Sequence, residues 1–157
     1  MSDLKERYGF DHWRGRDERR LIRRPLPDLS DAELEFESRE PINGEPYGFI
    51  DFYRLRGRPA RIAVTIVEHP TAAVAHEALL HILALVMAPQ LPSCEQRGLN
   101  AGDACFCSLG EMLETVFFVR ANVLVRVENA GREQIDLREI VTSLDVQLRL
   151  AQDAAPA

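Results

Sequence analysis

Two short apolar runs meeting at Ala121-Asn122 constrain this chain more than any other stretch. Val116 to Val127 reads VFFVRANVLVRV. Val, Phe and Leu suit a pleated surface, and a two-residue turn needs a small or left-handed-tolerant residue, so the stretch predicts a β-hairpin. Pairing across the turn sets Phe118 opposite Val125, Val119 opposite Leu124 and Phe117 opposite Arg126. One face then carries Val116, Phe118, Val123, Val125 and Val127, enough for a core. The other carries Phe117, Val119 and Leu124 beside Arg126 and Glu128. A half-solvated strand pair has a polar second face, so this one is expected to be covered. Phe117, Val119, Leu124 and Arg126 are the first candidates for an interface.

The flanking sequence supplies partners for the hairpin. Glu33 to Glu37 alternates as an edge strand would, and Pro41 to Gly44 reads as a turn. Tyr47 to Leu55 and Arg61 to Glu68 alternate on either side of Arg56-Gly57-Arg58-Pro59. Thr71 is placed to cap a helix over Ala72 to Met87, stopped by Pro89 and apolar on more than one stripe. Ala104 to Ser108 is a further strand. Asp136, with Glu139 three residues on, opens a closing helix whose Leu137, Ile140, Val141, Leu144 and Leu148 form a single stripe. The order is β-β-β-α-β-β-β-α, which predicts an α+β fold: an antiparallel sheet with both helices on one face.

A length of 157 residues fits one domain able to bury roughly 70% of its unfolded surface. Residues 1 to 24 form a basic arm with eight Lys or Arg against five acids; residues 25 to 157 hold eleven against twenty. Trp13, Leu21 and Ile22 are the arm residues placed to anchor it, in cis or on a partner. The domain itself is expected over residues 25 to 150, with 151 to 157 a frayed tail. A net charge of -6 argues against general affinity for nucleic acid or anionic lipid. The longest apolar run, Ala78 to Ala88, is too short to cross a bilayer. The N-terminus lacks a secretory pattern, so a cytoplasmic location and three reduced cysteines are expected.

Catalytic and metal signatures are absent from the sequence pattern. His76 and His81 lie five apart, which turns the second imidazole about 140° from the first on a helix. Helical zinc ligands need a spacing of four, so His76, Glu77 and His81 read as a polar edge. Cys105 and Cys107 share a strand face, but with Cys94 they lack the paired spacing of a zinc site. Gly102-Asp103 reads as a turn, with no phosphate-loop pattern before a helix. No catalytic residue, cofactor or metal site is therefore expected.

From Arg61 to Leu150 the pattern resembles small α+β modules of the PsbP-like fold, which include bacterial lipoproteins and the sensor domains of some kinases. Carrying the likeness are Ala75-His76 on an Ala-rich helix, Gly102-Asp103-Ala104, Ala121-Asn122 followed by VLVRV, and Leu144-Asp145. The resemblance implies a fold and an accessory or binding role, with no catalytic residues. A non-catalytic adaptor, chaperone-like or immunity-like and homodimeric through the second sheet face, is the function expected. The alternative is a small-ligand sensor with an apolar pocket between the first helix and the sheet.

Overall fold

The computed structural model describes residues 2–14, 20–21, 28–86 and 90–154. Six antiparallel strands form one sheet in the order β1-β2-β3-β6-β5-β4. They are β1 (Leu34–Ile42), β2 (Tyr47–Leu55), β3 (Arg61–Glu68), β4 (Ala104–Cys107), β5 (Thr115–Arg120) and β6 (Val123–Asn129). Helix α1 is Ser2–Arg7, α2 is Ala72–Leu85 and α3 is Arg138–Ala154. The predicted hairpin forms in the predicted register, with Phe118 opposite Val125, Val119 opposite Leu124 and Phe117 opposite Arg126.

The sheet edges carry their own protection. Edge strand β1 is longer than its alternation suggests because it runs through Pro41, a residue tolerated only where the missing N–H faces no neighbour. A bulge between Phe36 and Ser38 breaks its register with β2, and Glu35, Glu37, Arg39 and Glu40 line it with charge. At the opposite edge, β4 is short and bridged by Ser93 through Phe106.

The two helices lie on opposite faces, which corrects the expectation of a shared one. Pleating sends Val116, Phe118, Val125 and Val127 to one side, where they join Val141, Leu144 and Leu148 of α3 in a single core. Phe117, Val119 and Leu124 point the other way and join Leu79, Leu80 and Leu83 of α2. A helix apolar on more than one stripe is expected to be buried on more than one side. Instead α2 is buried through Ala72, Ala75, His76, Leu79, Leu80 and Leu83, while Val74 and Leu85 stay exposed.

Two further expectations change. Helix α3 continues past Ala151 to Ala154, because Gln152 is buried and its amide donates to the Arg120 carbonyl at 3.0 Å. Cys94 and Cys105 are joined in a disulfide with Cα atoms 5.4 Å apart, while Cys107 is buried as a free thiol. The cause is the Ser93–Phe106 bridge, which brings Cys94 back across from Cys105. Burial raises the Cys107 thiol above its ordinary range.

Candidate functional site

The second face of the sheet is closed from within the chain over β4, β5 and β6. Phe117 is 6% exposed, Val119 0% and Leu124 7%. Their cover is α2 together with the N-terminal arm, so these three side chains are not open to a second subunit. The arm contributes Tyr8 and Trp13, whose rings lie 5.2 and 5.6 Å from that of Phe106. The Trp13 indole N–H donates to the Tyr8 carbonyl, and the Tyr8 hydroxyl accepts from the Leu91 N–H. Arg126 remains at the rim, paired with Glu128 and set 5.4 Å over the Phe117 ring.

Leu21 is fully buried, in the core on the α3 side, with Leu29 beside it in the same cluster. Asn122, at the hairpin turn, holds it there. The Asn122 Oδ1 accepts from the Leu21 N–H at 3.0 Å, and its amide donates to the Leu21 carbonyl at 2.9 Å and the His69 carbonyl at 3.0 Å. Trp13 and Leu21 thus anchor the arm in cis on opposite faces. Ile22 lies outside the described residues, as does most of the basic cluster around it.

Residues that carried the family likeness converge where β5 turns into β6. Asp145 accepts from the Gly102 N–H at 3.0 Å and from the Arg120 guanidinium through both oxygens. Asp103 accepts from the Ala121 N–H at 2.6 Å. Gly102 sits at φ 61°, and a Cβ there would stand 2.2 Å from the Val119 carbonyl oxygen, so only glycine fits. His76, expected at a polar edge, is buried; its Nε2 is 3.9 Å from Asp103 and its ring is 5.8 Å from Trp13. Glu77 pairs with Lys5 of the arm. A cleft of about 400 Å³ opens beside this cluster, lined by Arg14, Asn100, Asp103, Arg120 and Arg149. The carboxylates of the cluster already serve the backbone and Arg120, an arrangement that braces the turn.

What the second face leaves uncovered is its β1–β3 half. Register places Ile42, Gly48, Ile50, Phe52, Thr65 and Val67 on the α2 side of these strands. Ile50, Phe52, Thr65 and Val67 are half-buried, and Ile42 is exposed. A Cβ on Gly48 would stand 3.2 Å from both the Ile42 and Val67 side chains, which flank the glycine on its two neighbouring strands. Toward the far end, Arg61 lies 4.3 Å over the Phe52 ring and pairs with Glu37. Toward the Gly48 end the apolar groups have no such cover among the described residues.

Helix α2 packs over the neighbouring strands β5 and β6. On a helical projection Val74 and Leu85 fall about 170° and 150° from the centre of the buried row of Ala72, Ala75, His76, Leu79, Leu80 and Leu83, so both point away from the sheet. Leu85 is 76% exposed and Val74 44%. Sequence reasoning found the excess apolar character of α2 but placed the uncovered surface two strands away.

No protein family, curated protein or solved structure matches this chain. Among the described residues no helix is long and apolar enough to cross a membrane, and no group of three or more His, Cys, Asp or Glu could hold a metal ion.

Proposed function

We propose that this protein is a non-catalytic protein-binding module that pairs with a second copy of itself through the uncovered half of the second sheet face. One observation carries this reading: the same sheet face leaves Ile42, Ile50 and Val67 without a covering helix, and α2 exposes Val74 and Leu85. Three strands at about 4.8 Å spacing give a floor about 10 Å across, close to the diameter of one helix. Each copy offers a helix flank and an unfilled floor, and an isologous two-fold pairing fills both at once. The accessory role implied by the likeness to PsbP-like modules agrees with it.

The alternative sensor reading has weaker support, because Leu79, Leu80 and Leu83 fill the space between α2 and the sheet. For the compartment, the Cys94–Cys105 bridge favours an oxidising setting over the cytoplasmic one expected from the sequence. Sedimentation of the chain beside a Val74→Glu/Leu85→Glu variant tests the pairing. A dimer that the two exposed substitutions reduce to a monomer supports it. A wild-type monomer at every concentration, or a dimer that survives both substitutions, refutes it.

A further inference from the structure

We propose that a separate groove, on the α3 side of the molecule, docks a short basic segment of a partner protein through one apolar and one cationic side chain. The groove has a volume of about 340 Å³ and runs between the Leu29–Leu34 segment, the end of β2 and the first turns of α3. Its floor is Leu29, Leu34, Leu55 and Ile135, each buried, with half-buried Ile140 on α3 and exposed Met112 at its mouth. A floor of this kind takes a leucine-sized side chain and gains by removing both surfaces from water.

The charge around this floor selects the partner. Four carboxylates line the groove, those of Asp31, Glu33, Asp136 and Glu139, against the single guanidinium of Arg58. Arg58 is already paired with Glu133. Asp31 accepts from the Glu33 and Leu34 N–H groups at 2.8 Å, and Asp136 is paired with Arg138. Glu33 and Glu139 are exposed, and neither carboxylate has a hydrogen bond or ion pair among the described residues. The groove therefore presents more carboxylates than its one guanidinium can balance, with Glu33 and Glu139 outside any hydrogen bond or ion pair among the described residues, over an apolar floor; it is complementary to lysine or arginine next to leucine and repulsive to an acidic segment. The site is distinct from the β1–β3 floor and uses none of its residues.

Fluorescence anisotropy with a labelled peptide alternating lysine and leucine tests this, with controls that replace lysine by glutamate or leucine by serine. The groove predicts that the lysine–leucine peptide binds at least about tenfold more tightly than either control, with affinity falling as salt rises. A Glu33→Lys/Glu139→Lys variant, both sites exposed, should lose at least about tenfold in affinity. Ser143→Trp, which fills the groove from the exposed side of α3, should weaken binding without reversing charge. Equal affinity for the acidic control, undetectable binding of every peptide, or binding unchanged in both variants overturns the proposal. The Val74→Glu/Leu85→Glu variant should bind the peptide as the parent does, which separates this site from the pairing face.

Discussion

Replacing Asn122 by alanine should undo the attachment of the arm at Leu21. The side chain makes three hydrogen bonds to backbone groups, two to Leu21 and one to His69, from a residue only 1% exposed. Truncation orphans one N–H and two carbonyl groups at the base of the sheet. At about 1 kcal/mol for each bond exchanged, the loss is about 3 kcal/mol, more where water cannot reach the freed groups. For a domain of this length that corresponds to a fall in Tm of roughly 6–12 °C. Scanning calorimetry measures the fall, and amide hydrogen exchange at Leu21 localises it, since that N–H donates to Asn122. Asn122→Asp is a sharper probe: it keeps the acceptor for the Leu21 N–H but turns the amide donor into an oxygen facing two carbonyls. It should destabilise at least as much at neutral pH and recover as the carboxyl protonates. A Tm within about 2 °C of the parent, with Leu21 exchange unchanged, would refute the in-cis attachment.

Other outcomes follow from the same structure. Alkylation in denaturant without reductant should modify only Cys107, and with reductant all three cysteines; reducing the bridge, which spans a sequence separation of 11, should cost about 3 kcal/mol of stability. Ala121 sits at φ 51°, so Ala121→Gly should stabilise by about 0.5–1 kcal/mol, read from urea midpoints at constant slope. Burial holds the His69 pKa below its ordinary value of 6.5, so the unfolded chain binds the proton more readily than the folded one. Stability from this group is therefore complete above about pH 6.5 and declines as the pH falls below it. His69→Gln should flatten that decline in melting temperatures recorded against pH, and an identical profile for both proteins would contradict it.

Much of the sheet was legible because its signals are local. Strands β2, β3 and β6 run over the residues that alternation and turn chemistry predict, and the VFFVRANVLVRV hairpin takes its expected register. Alternation also reported truly that the hairpin has two apolar faces. It could not say which helix covers which, because that depends on how the long connections after β3 and β6 cross the sheet. Pro41 signals a turn by itself, but on an edge strand its missing N–H is tolerated and β1 runs through it. The disulfide depended on residues 91–94 returning beside β4, a contact without a local pattern. Tyr8 and Asn122, the arm's fastenings, were missed for the same reason: each acts on a residue far along the chain.

Methyl NMR during dilution would measure the pairing face directly. Resonances of Ile42, Ile50, Val67, Val74 and Leu85 should shift together as the protein is diluted, while those of Val119 and Leu124, sealed beneath α2, stay in place. Shifts confined to Val119 and Leu124, or none across the concentration range, would contradict association through the uncovered β1–β3 half of the sheet.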